Sequence, residues 1–135
     1  MTEKLLLIVV DDEPDIAELV ADTAEMAGFE AMFATNVPEF LRLEKDHSPD
    51  VVVTDLCIPQ MDGIELLQAL SDRKCRSGII LMSGYRGRYI PLAEGMMDGL
   101  NLTHLGSIEK PFRIAQLKEK LQEAAKWCIE NRAAK

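Results

Sequence analysis

Leu5-Leu6-Leu7-Ile8-Val9-Val10-Asp11-Asp12-Glu13 is the stretch whose reading decides the fold. Its aliphatic run has no polar alternation, which fits a strand covered on both faces, as in a parallel sheet. The run then stops in three carboxylates. The same grammar recurs downstream, where Val51-Val52-Val53-Thr54 ends at Asp55. Carboxylates at the same end of two adjacent buried strands would converge in one small space, a costly arrangement unless a cation sits among them.

Outward from these runs, strands and helices alternate. Ile16, Leu19, Val20, Thr23, Ala24 and Ala27 fall at helical spacing, with Pro14 suited to the first turn and Gly28 to the end. Glu30 to Thr35 reads as a second strand. Asn36 is placed to cap a short helix, with Glu39 as its capping-box partner. After the third strand, Asp55 to Asp62 reads as a loop holding Pro59. Ile64, Leu66, Leu67 and Leu70 mark a third helix. Ile79-Ile80-Leu81-Met82 is a fourth strand ending at Ser83-Gly84. Ile90 to Leu100 has helical character despite Gly95 and Gly99, which each cost about 1 kcal/mol relative to Ala in a helix interior. Thr103 to Ile108 reads as a fifth strand, followed by Lys110-Pro111. Ile114, Leu117, Leu121, Ala124, Ala125 and Cys128 line a long last helix, and Asn131 to Lys135 is expected to fray. Trp127 is expected to face the core.

Five strands alternating with five helices imply an α/β domain, a doubly wound parallel sheet joined by right-handed crossovers. Active sites of such sheets lie beyond the carboxyl ends of the strands. Asp11, Asp12, Asp55, Ser83 and Lys110 all fall there.

Composition narrows the function. The chain has 135 residues and a formal charge of -8, from 23 acidic and 15 basic side chains. That length fits one domain and buries enough surface to need no disulfide or metal for its core. The acidic balance disfavours nucleic acid as a partner. Arg73-Lys74-Cys75-Arg76 is a local basic cluster that reads as a solvated helix end. Cys57, Cys75 and Cys128 form no metal-ligand pattern and no disulfide framework. Leu5–Val10 is too short for a membrane span and lacks signal-peptide flanks. A reducing cytoplasm is the expected setting, with no membrane association.

The chemistry of the cluster follows from charge. Two carboxylates about 5 Å apart repel by roughly 3 kcal/mol at an effective dielectric of 20. Hard oxygen ligands with room for water suit Mg²⁺, or Mn²⁺ in its place. Such a site can accept a phosphoryl group, with a carboxylate oxygen as the attacking atom. Lys110 supplies positive charge and Ser83 a hydroxyl. Each residue alone has a plainer reading. Acidic residues before a helix serve as caps, a serine at a strand end is a turn residue, and a lysine before proline is exposed. Their joint occurrence at the ends of four strands favours the site.

These motifs together resemble the receiver domain of two-component response regulators over nearly the whole chain. The matching residues are Val10-Asp11-Asp12-Glu13, Asp55 with Pro59 and Met61-Asp62-Gly63, Met82-Ser83-Gly84, and Lys110-Pro111-Phe112. The resemblance implies a single receiver domain over residues 1–135, with an ordered core of about 4–130. Its fold would be flavodoxin-like and CheY-like, with strand order 2-1-3-4-5. It implies that Asp55 is phosphorylated by a histidine kinase or phosphotransfer protein. Asp12, Asp55 and the main-chain carbonyl of Cys57 would bind Mg²⁺, with Asp11 acting through water. Lys110 would pair with Asp55 and Ser83 would swing toward the phosphoryl oxygens. Such a domain is a signalling phosphoacceptor rather than an enzyme. It acts on a downstream protein, as a monomer or a phosphorylation-promoted dimer.

The chain departs from the family pattern in places. Most receivers carry Tyr or Phe three residues before the lysine, where this chain has Ser107. The stretch from Ser83 to Lys110 is several residues longer than usual, and its text resembles receivers fused to EAL-type cyclic-di-GMP phosphodiesterases. The switch surface is therefore expected in the Tyr85 to Asn101 segment. Tyr85 and Cys57 would flank the path of hydrolytic water and slow loss of the phosphoryl group. Competing readings are a phosphorylation-independent interaction module, supported by Ser107, and an aspartate-nucleophile phosphohydrolase. The latter normally needs an acid two residues after the nucleophile, where Cys57 stands. A flavodoxin-like FMN carrier is disfavoured because Asp11-Asp12-Glu13-Pro14-Asp15 would repel its phosphate.

Overall fold

A computed structural model describes residues 4–58, 61–84 and 90–133. Strands β1 (Leu5–Val10), β2 (Phe29–Ala34), β3 (Val51–Asp55), β4 (Gly78–Ser83) and β5 (Thr103–Glu109) form one parallel sheet in the order β2-β1-β3-β4-β5. Helices α1 (Pro14–Met26), α2 (Val37–His47), α3 (Gly63–Asp72), α4 (Ile90–Met97) and α5 (Ile114–Ala133) connect and cover it. The expected strand order and fold class are therefore the observed ones.

The uniform aliphatic runs are explained by two cores, one on each face of the sheet. Ile8, Val10, Val52, Ile79 and Leu81 point to a cluster closed by α2, α3 and α4. Leu7, Val9, Val51, Val53, Ile80 and Met82 point the other way, to a cluster closed by α1 and α5. Successive residues face opposite sides of a strand, so a strand with two covered faces has no position left for a polar side chain. Burying each such side chain contributes about 1.5–3 kcal/mol.

Helix boundaries follow local chemistry. Pro14 occupies the first turn of α1, and Gly28, at φ +100, turns the chain after it. Asn36 caps α2, its Oδ1 accepting from the Glu39 N–H at 2.9 Å. Gly63 opens α3 because a Cβ there would lie 2.7 Å from the backbone Cα of Leu56.

Several elements differ from the sequence reading. The segment after Asp55 contains a small antiparallel ribbon, Cys57–Ile58 with Met61–Asp62, where only a loop is expected; Pro59 lies outside the described residues. Helix α4 stops at Met97, so Gly99 lies beyond it and Gly95 is its one helical glycine. Helix α5 runs to Ala133, into the stretch expected to fray, and Asn131 Nδ2 donates to Trp127 O at 2.9 Å. Trp127 is half-buried, its ring beside Gly78 and the α1–α5 core. In the basic cluster, Arg73 is docked rather than merely solvated, with Nε 2.8 Å from Glu44 and a bond to Leu41 O at 3.1 Å. Cys75 beside it is buried, and burial pushes its thiol pKa up. No helix among the described residues is long and apolar enough to cross a membrane.

Candidate functional site at the carboxyl ends of the strands

Strand register brings the sequence-predicted residues to one edge. Val10 pairs with Thr54, Asp55 with Met82, and Ser83 with Glu109, so the last residues of β1, β3, β4 and β5 stand side by side. Asp11 follows β1, Asp55 and Ser83 end β3 and β4, and Lys110 follows β5. Main-chain bonds fasten this rim: Asp11 N donates to Ala34 O at 3.2 Å, Leu56 N to Met82 O at 2.9 Å, and Lys110 N to Ser83 O at 2.8 Å.

Asp11, Asp12 and Asp55 each offer an oxygen, and these atoms all lie within 4.8 Å of one another. Asp11 and Asp55 are buried, while Asp12 reaches toward solvent. Neither buried carboxylate is bare. Asp55 Oδ1 accepts from Cys57 N at 3.0 Å, and its Oδ2 accepts from Lys110 Nζ at 3.0 Å. Asp11 Oδ1 accepts from Glu13 N at 2.9 Å, and its Oδ2 accepts from Lys110 Nζ at 2.5 Å. Asp11 is thus a lysine partner and a turn former, contacts that the sequence does not announce. Glu13 adds a fourth carboxylate, 3.6 Å from Lys110 Nζ. It is the exposed residue just before α1, a place where an acidic side chain reads from sequence only as a helix-start charge.

Burial pushes the Asp11 carboxyl above its ordinary value, and the Lys110 ammonium and Glu13 N–H recover only part of that shift. Burial alone would lower Lys110. Its bond to Asp11, followed by the charge of Asp55, outweighs burial and holds the ammonium above the usual lysine range. Lys110 therefore stays charged at neutral pH. One ammonium stands among four carboxylates, Asp11, Asp12, Glu13 and Asp55, which leaves the rim with excess negative charge. Hard, closely set oxygens with one member open to water are the donor set a divalent cation such as Mg²⁺ prefers.

The other expected residues fall as follows. Ser83 is fully buried at the rim. Cys57 is half-exposed and directs its N–H at Asp55. Tyr85 lies outside the described residues. Ser107 is engaged with α4 instead of the acidic cluster. Its hydroxyl donates to Glu94 Oε2 at 2.7 Å and lies 2.9 Å from His104 Nε2. Glu94 and His104 carry no sequence signal of this role, because a one-residue irregularity in β5 brings them to it.

Comparison with known proteins bears on this geometry. Residues 7–122 match the response regulator receiver domain family. The chain is 31% identical over 124 residues to the regulatory protein AtoC of Escherichia coli, covering 92% of this chain and 26% of that protein. It is 31% identical over 123 residues to sporulation initiation phosphotransferase F of Bacillus subtilis, covering 91% of this chain and 94% of that protein. The chain spans only about a quarter to just over half of the transcriptional regulators among these relatives. A crystal structure of a response regulator from Colwellia psychrerythraea superposes with a TM-score of 0.79 at 25% identity, covering 93% of this chain and 99% of that one.

Proposed function

Because the chain belongs to the response regulator receiver family, we propose that Asp55 is its phosphoacceptor, with Lys110 and Ser83 as the groups that receive the transferred phosphoryl. The single observation that carries this is the shared ammonium: Lys110 Nζ bonds both Asp55 and Asp11 at the carboxyl rim of the sheet. The donor is a histidine kinase or a phosphotransfer protein. An Asp55 oxygen attacks phosphorus, and the bond to the donor imidazole breaks as the acyl phosphate forms. The Cys57 N–H and the Lys110 ammonium fix the carboxylate plane, so positioning is in place before the donor arrives.

Asp12, Asp55 and the main-chain carbonyl of Cys57 would hold Mg²⁺, or Mn²⁺, with Asp11 acting through water. When bound, the ion supplies screening of the negative charge that accumulates at phosphorus. After transfer, Lys110 is free to follow the added charge away from Asp11, and the Ser83 hydroxyl bonds a phosphoryl oxygen. Tyr85 and Cys57 shield the acyl phosphate from water. The product signals by binding another protein in the cytoplasm, as a monomer or a phosphorylation-promoted dimer. It turns over no external substrate.

Intact mass spectrometry after incubation with Mg²⁺ and a purified histidine kinase or acetyl phosphate tests the reading. The expected result is a gain of one phosphoryl group that Asp55→Asn abolishes. No gain with either donor, together with no beryllofluoride binding, would sink it.

A further inference from the structure

Residues three apart on a regular strand face opposite sides of the sheet. His104 and Ser107 nevertheless meet, with Nε2 and Oγ 2.9 Å apart. The reason is a register shift: Ile79 pairs with His104, but Ile80 pairs with Gly106, so Leu105 is an extra residue in β5. Such a bulge reverses the facing of everything beyond it. Ser107 then pairs with Leu81, which faces the same core as Ile79, the partner of His104. Both side chains therefore stand on the face that α4 covers through Ile90, Ala93 and Met97. Leu105 and Ile108 pack into the opposite core instead. Gly106 faces that way too, with the Lys120 side chain lying 3.1 Å from where a Cβ would stand.

Glu94 of α4 meets this pair. Its Oε2 accepts from Ser107 Oγ at 2.7 Å and lies 3.4 Å from His104 Nε2. The cluster is half-open to solvent, with 29% of the His104 side chain and 39% of Glu94 exposed. Among the described residues, α4 also packs on the sheet through a short apolar stripe, and it spans just eight residues, Ile90–Met97. A helix of this length has little stability of its own. Three residues beyond Ser107, the same strand delivers Lys110 to the acidic rim.

We propose that Glu94, Ser107 and His104 form a polar latch that fastens α4 to β5, and that this latch couples the phosphorylation state of Asp55 to α4 in place of an aromatic side chain. The proposal rests on the phosphoacceptor reading above. Lys110 moving with the added charge draws on β5, and the latch passes that displacement to α4 through the Ser107–Glu94 hydrogen bond, with His104 holding Ser107 on the strand side and lying 3.4 Å from Glu94.

Amide hydrogen exchange of α4 in the whole chain, with and without beryllofluoride, tests this in the wild type, Ser107→Ala and Glu94→Ala. Alanine is the best helix former, so lost protection in Glu94→Ala cannot come from helix propensity. The expected result is exchange about fivefold faster in both variants without beryllofluoride, as loss of one net hydrogen bond implies. The beryllofluoride-dependent difference in α4 should shrink in parallel. Unchanged α4 exchange in either variant overturns the latch. Faster exchange with an undiminished beryllofluoride response overturns its coupling role. Fluorine NMR of bound beryllofluoride separates the two readings: absence of that signal in the wild type overturns the phosphoacceptor assignment and the coupling with it, whereas a bound signal with α4 exchange unchanged by beryllofluoride in the wild type overturns the coupling alone.

Discussion

The Lys110 ammonium sits closer to Asp11 than to Asp55, at 2.5 Å against 3.0 Å. The buried carboxylate with no proposed reacting role is thus the nearer partner of the lysine, ahead of the proposed phosphoacceptor. Asp11 is fully buried, so its charge depends on this contact.

Removing the lysine should therefore destabilise the fold, beyond any effect on signalling. In metal-free buffer, Lys110→Met is expected to cost about 3 kcal/mol, the usual result of leaving one partner of a buried pair uncompensated. Combining it with Asp11→Asn should recover much of the loss. Urea denaturation of the two single variants and the double variant gives the coupling. Strictly additive costs would show that the pair does not interact.

Acidity should act on Asp11 in a particular direction. Its folded-state pKa is raised, chiefly by burial, above the ordinary 3.8. Between those two values the folded state holds a proton that the unfolded state releases, so the Asp11 contribution to stability falls as pH rises through that window. Asp11→Asn is thus expected to be more stable than the wild type at pH 7 in EDTA. Its advantage should shrink as pH is lowered toward 3.8. Thermal melts across that range check it, and a growing advantage at low pH would reverse the sign.

Divalent-ion binding should be invisible to the single tryptophan. Trp127 packs beside Gly78, the first residue of β4, whereas the acidic rim lies past Ser83, the last. Five residue steps separate those ends, about 17 Å along a strand. Calorimetric titration with Mg²⁺ should show one site, weakened at least about tenfold by Asp12→Ala, with no change in Trp127 emission. A tryptophan response that tracks occupancy would contradict this.

Two glycines should respond unequally to alanine. At Gly63 the added Cβ meets Leu56 main-chain atoms at 2.7 and 2.8 Å, and a backbone cannot yield locally. At Gly78 it meets Leu105 side-chain atoms at 2.2 and 2.7 Å, which a rotamer change relieves. Gly63→Ala should cost more than about 3 kcal/mol and Gly78→Ala about 1–2. Chemical denaturation ranks them, and the opposite order would show that Leu105 is the less yielding neighbour.

Much of this molecule is legible in its sequence because burial on both faces of β1, β3 and β4 leaves unbroken aliphatic runs. Their ends announce Asp11, Asp55 and Ser83 directly. Asn36 and Pro14 mark helix starts through backbone chemistry that one residue can carry. The contacts of Lys110 with Asp11, and of Arg73 with Glu44, depend on side chains reaching between elements distant in sequence. No local pattern records them. The meeting of His104 and Ser107 was hidden for a different reason: edge strand β5 is only partly buried, so its alternation is weak and an added residue leaves no trace in it.

That added residue also changes how this chain is matched to others. Any alignment that pairs β5 with an unbulged strand must open its gap at Leu105. A gap opened before Thr103 or after Ser107 still scores the neighbouring residues plausibly, but it assigns either His104 or Ser107 to the wrong side of the sheet. Position-by-position transfer of roles along this strand is sound only when counted backward from Lys110 as far as Gly106, and forward from Leu102 as far as His104.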